Sequence, residues 1–417
     1  MAAHAPGLAT NLRVDGDRLW ASLMEMARIG ATPRGGCNRQ ALTDEDRRGR
    51  DLFVGWCRAA GCEVSIDAIG NIFARRAGTD PDAAAVLIGS HLDTQPTGGR
   101  FDGVYGVLAG LEVVRTLSDA GRSTRRPIVV ASWTNEEGAR FPPAMMGSGV
   151  CAGDHALEDV YRHADRNGVT VKSALEAIGY LGSADPPSIC AAFEAHIEQG
   201  PILEREAETI GVVTGIQGCW WLDLTFTGAA AHAGTTPMEA RRDPWRAALP
   251  ALQAAFEAAA AYAPDGRCTV GDVAIEPGSR NTVPERLRLS FDLRHPDDAV
   301  LTEMRGRLET VARRQAARHG LGLEVEEKFR MAPTSFDPAL VDLVEQAAEA
   351  LGHRRRRMIS GAGHDSLHVA RLAPTAMIFV PCAGGLSHNE AEDAQADDLR
   401  AGADVLLLAA VAAADRP

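Results

Sequence analysis

Lysine is nearly missing from this chain: of 43 basic residues only Lys172 and Lys328 are lysine. No glycine-rich phosphate loop closing on Lys-Ser or Lys-Thr can be drawn, and a Schiff-base lysine would have to be one of those two. The eight cysteines are scattered with no CxxC pair, which leaves no dithiol or zinc-knuckle spacing. Cys57 and Cys62 read as small hydrophobes. No apolar run reaches membrane-spanning length, and the first twenty residues lack the basic-then-apolar pattern of a secretory signal. Base is also in short supply: the net charge is −13. Nucleic acid and anionic membrane both want a basic face, so neither is expected as a partner. These absences suit a reduced, cytoplasmic protein.

What is present fits a globular enzyme. The 417 residues are 45% hydrophobic, enough for two or three domains with sizeable cores. The apolar run Ala85–Ile88 leads into GSHLDTQPTGGRFDG, with His91, Asp93 and Asp102 close together. A second run, Pro127–Ser132, ends in TNEEGARF, where Glu136 and Glu137 are adjacent. Like charges side by side at a strand end are costly unless a cation or a shared proton relieves them. Imidazole and carboxylate on rigid strand ends suit divalent ions, and two such ends suggest a two-metal hydrolytic site.

The periodicities predict an α/β domain with a largely parallel sheet. Helices are expected over Asp17–Ile29, from Thr43 to Ala60, over Tyr105–Ala120 and across much of Asp154–Tyr180, with strands at Glu63–Asp67, Asn71–Arg75, Ala85–Ser90 and Pro127–Trp133. From Gly211 the order becomes β-α-β-β-α-β, the ferredoxin-like unit, starting with one long strand, Val212–Thr227. After Arg330 the α/β pattern resumes. The expected division is therefore a catalytic domain over 1–211, an inserted domain over 212–330, and the rest of the catalytic domain over 331–417.

His91, Asp102, Glu137, His196 and His388 each lie at or just beyond an apolar strand-like run and are the candidate metal ligands. One alone would be unremarkable as a core histidine or a helix N-terminal carboxylate; five in comparable places are not. Asp93, two residues past His91, reads as the carboxylate that orients the imidazole. Of Glu136 and Glu137, one can bind metal and the other can serve as base to a water; spacing alone does not say which. In the inserted segment, His232 could donate to a developing oxyanion, Arg294 offers a bidentate fork for a carboxylate, and Gln217 and Asn281 lie in loop-like motifs. The stretch SGAGHDS could form an anion nest before a helix or a plain loop.

Taken together, GSHLDTQPTGGRFDGVYGVLAGLE, TNEEGARF, HIEQGPILE, GAAAHAGTTPM, RNTVP, FDLRHP, SGAGHDS and SHNEAE resemble the amidase, hydantoinase/carbamoylase family of di-metal aminoacylase-like hydrolases, over nearly the whole chain. The resemblance implies two divalent ions per subunit, with Zn²⁺, Mn²⁺, Co²⁺ and Ni²⁺ all suited to the ligands. By it, His91 and His196 hold one ion, Glu137 and His388 the other, Asp102 bridges, and Glu136 is the general base. Gln199, Gln217, His232, Asn281, Arg294 and Gly363 match positions that hold substrate. The inserted domain would be a lid and the surface of a homodimer whose partner subunit completes the site. The implied reaction is attack of metal-bound hydroxide on the ureido carbonyl of a small acid. N-carbamoyl-L-amino acids come first, N-carbamoyl-β-alanine is allowed, and allantoate is the alternative. An aminoacylase or peptidase ranks lower. A catalytically inactive scaffold would show a lost ligand or replaced base, and none is missing.

Overall fold

The computed structural model describes residue 8 and residues 11–416, so part of the segment searched for a secretory signal lies outside the described residues. The chain forms two compact units. One runs to Gly215 and resumes at Ser335; the other is Ile216–Thr334. Both edges of the inserted unit fall four residues later than the sequence pattern suggests.

The strands of the first unit are β1 (Glu63–Ile66), β2 (Ile72–Arg76), β3 (Ala85–His91), β4 (Ile128–Trp133), β5 (Ile189–Ile197) and β6 (Ile210–Ile216). The inserted unit carries β7 (Gly218–Thr227), β8 (Ala231–His232), β9 (Arg267–Glu276), β10 (Thr282–Val283), β11 (Arg286–His295) and β12 (Gly322–Met331). Then follow β13 (Thr334–Ser335), β14 (Arg355–Ser360) and β15 (Thr375–Val380).

The large sheet has the order β1-β2-β4-β3-β5-β15-β6-β13, with β14 on β6. Its centre, β4-β3-β5-β15, is parallel. Antiparallel neighbours flank it, β2 on β4 and β6 on β15. The central strands read as continuous apolar runs because both faces are covered: every residue of β3, β4 and β15 is buried. The helix Val104–Asp119 is buried nearly all round, as a helix packed on a sheet and under its neighbours must be.

In the inserted unit, β12-β7-β11-β9 form an antiparallel sheet. With helices Trp245–Ala261 and Asp298–Arg318 in the crossovers, this is the ferredoxin-like topology. Leu222, Leu224, Phe226, Leu287, Leu289, Phe291 and Leu293 alternate onto one face and meet Ala247, Ala251, Leu301, Met304 and Leu308 of the helices.

Three expectations need correction. The single strand expected over Val212–Thr227 is two, broken at Gln217, and the halves lie in different sheets. Both halves are apolar, so hydropathy cannot mark the break. Asp154–Tyr180 holds only two short helices, Leu157–Val160 and Val171–Ile178. β14 was not foreseen, because RRRMIS carries no apolar alternation.

Candidate metal and substrate site

The site of the first unit lies at the carboxyl ends of its parallel strands, where α/β sheets bind ligands. β4 leads to Glu136 and Glu137, β3 ends on His91, β5 carries His196 beside its last residue, and the segment after β15 carries His388. Asp102 is in the loop before helix Val104–Asp119. Two groups of three ligand atoms result: His91, Asp102 and His196, and Asp102, Glu137 and His388, each set lying within 4.8 Å. Asp102 belongs to both. Its Oδ1 is 3.2 Å from His196 Nε2 and 3.7 Å from His91 Nε2. Its Oδ2 is 3.3 Å from His388 Nε2, which is 3.4 Å from Glu137 Oε2.

The backbone aims the imidazoles. His91 Nδ1 lies 2.9 Å from the carbonyl of Asp93, and His196 Nδ1 2.9 Å from that of Ile197. A carbonyl only accepts, so each ring carries its proton on Nδ1 and turns an Nε2 lone pair into the cluster. Burial lowers His91 to about 4, which keeps it neutral. Gly103 makes room: a Cβ there would sit 2.2 Å from His91 Nε2, and its φ of +67° is one that L side chains rarely adopt. Asn135, Gln199 and His388 also have left-handed φ, at 55°, 56° and 54°. Strain of this kind persists only where surroundings hold it.

The Asp93 carboxylate does not hold the His91 ring as expected. It is 4.0 Å from Nδ1, and its two oxygens accept the Glu136 and Glu137 N–H groups at 3.2 Å each. Asp93 thus fixes His91 with its carbonyl and the Glu136–Glu137 turn with its side chain.

Acid is crowded here. Burial, then Asp365, Glu137, Asp93 and Asp102, pushes Glu136 well above the usual carboxylate range. Burial and Asp102 push Glu137 up to about 8. The Glu136 Oε2 is 3.5 Å from His91 Nε2. Two imidazoles with Nε2 toward the cluster, a shared carboxylate and a surplus of buried acid form a donor set that fits two divalent ions.

Gln199 sits inside this cluster. Its amide donates to Asp102 Oδ2 at 2.9 Å and to Ser387 Oγ at 3.1 Å, and its Oε1 is buried without a partner. Gly363 lies half-buried in the loop before the four-residue helix Ser366–Val369. That loop is not an anion nest. The Ser366 N–H donates to Glu194, the His364 ring packs 4.6 Å from that of His196, and Asp365 accepts from Ser148 at 2.5 Å. Glu194 and Glu392 also belong to the site's surroundings and carried no signal of their own, one lying within an apolar strand and the other near the end of SHNEAE.

In the inserted unit the expected substrate residues form two groups. His232 pairs with Thr282 across the β8–β10 ribbon, and the Ala233 N–H donates to the Asn281 carbonyl, so His232 and Asn281 are neighbours, both exposed. His232 Nδ1 accepts from the Gly234 and Thr235 N–H groups, which puts the proton on Nε2. The second group is Gln217, which accepts from Arg267, and Arg294, whose Nε and Nη2 both donate to Asp292. Arg294 lies opposite Cys219 at one end of β11, whereas Arg286 lies opposite Thr227 at the other. Eight residues at about 3.3 Å each separate these ends by roughly 26 Å, and the His232 ribbon lies past the Arg286 end. The structure does not bring His232 and Arg294 together within one chain.

An α/β unit whose parallel strands end in two imidazole–carboxylate clusters sharing one aspartate is that of a metal-dependent hydrolase. The chain belongs to peptidase family M20/M25/M40, which it matches over residues 87–412. It is 51% identical, over 413 residues and 99% of each protein, to an N-carbamoyl-L-amino-acid amidohydrolase of Rhizobium meliloti. An allantoate amidohydrolase of Bacillus subtilis is 32% identical over 385 residues, 91% of this chain and 93% of that one. The crystal structure of a hydantoinase/carbamoylase family amidase from Burkholderia multivorans superposes with a TM-score of 0.94 at 52% identity, covering 97% of this chain and 99% of that one. No helix among the described residues is long and apolar enough to cross a membrane.

Proposed function

We propose that this protein hydrolyses the ureido C–N bond of N-carbamoyl-L-amino acids, giving amino acid, carbon dioxide and ammonia. The observation that carries the reading is the end-to-end likeness to the Rhizobium meliloti amidohydrolase; the allantoate enzyme is a more distant relative. His91, Asp102 and His196 would hold one divalent ion, and Asp102, Glu137 and His388 the other. When bound, the ions would polarise the ureido carbonyl and lower the pKa of the attacking water.

Glu136 takes the proton of that water and returns it to the leaving nitrogen. Its neighbour Glu137, turned to His388, is the ligand in this reading. The buried Gln199 Oε1 needs a donor, and a ureido N–H is one. His232 presents Nε2–H to the carbonyl oxygen as it gains charge, with Asn281 beside it. Arg294, held in a fork by Asp292, binds the substrate carboxylate near Gln217, and the Gly363 loop lines the site.

The active protein is a homodimer paired through the inserted unit, with His232 and Asn281 reaching the partner's site. The separation of these residues from Arg294 supports this, because no small ureido acid spans it. The test is ammonia release from N-carbamoyl-L-methionine, its D-enantiomer, N-carbamoyl-β-alanine and allantoate, beside methionine release from N-acetyl-methionine. The L-carbamoyl acid should be turned over fastest; preference for allantoate would replace this reading with the alternative.

A further inference from the structure

Glu392 is a buried carboxylate that lies between two ligand-bearing loops. Its Oε1 accepts the backbone N–H of Phe101 at 2.9 Å and of Asp102 at 3.1 Å. Its Oε2 is 3.0 Å from Ser387 Oγ. That hydroxyl is also 2.8 Å from Asp102 Oδ2 and receives the Gln199 amide. Ser387 has one proton for two carboxylates and immediately precedes His388. One side chain therefore grips the main chain of Asp102 and, through Ser387, both the carboxylate of Asp102 and the turn that sets His388 at φ 54°. The loops it joins are some 290 residues apart in sequence.

The approach is built into the chain. A Cβ on Gly99 would lie 2.0 Å from the Glu392 carboxylate, so the second glycine of TGGRFD is the space through which Glu392 reaches the Asp102 loop. Carboxylates that accept two N–H groups of a ligand loop orient the ligand itself, and losing such partners typically weakens metal binding by ~10–100-fold.

We propose that Glu392 is a positioning residue for the metal centre, locking the Asp102 loop to the His388 loop so that the ion position formed by Asp102, Glu137 and His388 is assembled before an ion arrives. The proposal rests on the two-ion reading above. It predicts asymmetry: the His91–His196 position, aimed by its own backbone carbonyls, depends on Glu392 far less.

The experiment is calorimetric titration of the chelator-stripped full-length protein with Zn²⁺ alone, beside its thermal midpoint without metal. Wild type should bind two ions per chain. Glu392→Ala should weaken one ion by about 10–100-fold and leave the other within a few-fold. Glu392→Gln, which keeps an acceptor for the Phe101 and Asp102 N–H groups, should recover part of the loss. Gly99→Ala should show the same one-ion signature with the Glu392 carboxylate chemically intact, and it decides the matter if Glu392→Ala fails to fold. Unchanged affinities in Glu392→Ala, or equal weakening of both ions with a lowered midpoint of the stripped protein, would overturn the positioning role alone. A wild type that binds fewer than two ions would overturn the two-ion reading and this proposal with it.

Discussion

Asp102 accepts hydrogen bonds from Gln199 and Ser387 at one oxygen and faces His196 and His91 with the other. Little freedom remains around it, and Gly103 leaves no room for a side chain. Gly103→Ala would drive a methyl group into the His91 ring. Metal analysis should find the His91–Asp102–His196 ion lost from this variant, and full occupancy would show that the ring can retreat. Glu136→Gln makes a different prediction. An amide cannot take the water's proton, so kcat should fall on the order of 10²–10⁴-fold with both ions retained, whereas Glu137→Gln should lower ion content. Loss of metal from Glu136→Gln would reverse the two roles. The proposed ligands stand out in sequence because each lies at or shortly beyond an apolar run. The work of Asp93 was not: sequence suggests a carboxylate near an imidazole, but only the turn geometry brings the carbonyl to Nδ1 and the carboxylate to the N–H groups of Glu136 and Glu137. Gln199, expected only at the substrate, is also braced against the shared aspartate.

The elements follow from hydropathy where burial is one-sided or complete, and fail where it is neither. β11 alternates strictly, with Leu287, Leu289, Phe291 and Leu293 inward, and the four parallel strands are continuous apolar runs, so both sheets could be read from the chain. The break at Gln217 and the arginine-rich β14 could not, since they depend on partners far away in sequence. Thr43 caps the helix Asp44–Ala59, its hydroxyl oxygen accepting the Asp46 N–H, while the Asp46 carboxylate accepts from the Leu42 N–H and from Arg50. Within the inserted unit, Leu224 on β7 is fully buried in a core of leucine, phenylalanine and helix alanines. Leu224→Ala should cost about 2–5 kcal/mol of that unit's stability, seen as a lowered midpoint in denaturant. Ion stoichiometry should not change, since every proposed ligand is in the other unit; a loss of metal would contradict the assignment of ligands.

For the molecule as a whole, the distance from the His232 ribbon to Arg294 sets a test of assembly. Each of Glu136→Gln and His232→Ala should be nearly inactive alone. If His232 serves the partner's site, mixing the two under verified subunit exchange should restore part of the activity, because hybrid dimers contain one complete site. No recovery would confine the site to one chain. Arg294→Ala should lower kcat/KM by roughly 10²-fold, as loss of a charge-assisted pair implies. Lysine should not rescue it, lacking the planar fork. The central claim is that two ions held around Asp102 carry ureido hydrolysis, and the most direct measurement is ammonia release from N-carbamoyl-L-methionine as the chelator-stripped protein is titrated with Zn²⁺ or Mn²⁺. Activity should be absent without metal and should reach its plateau at two ions per chain. Full turnover by protein shown to be metal-free would contradict it.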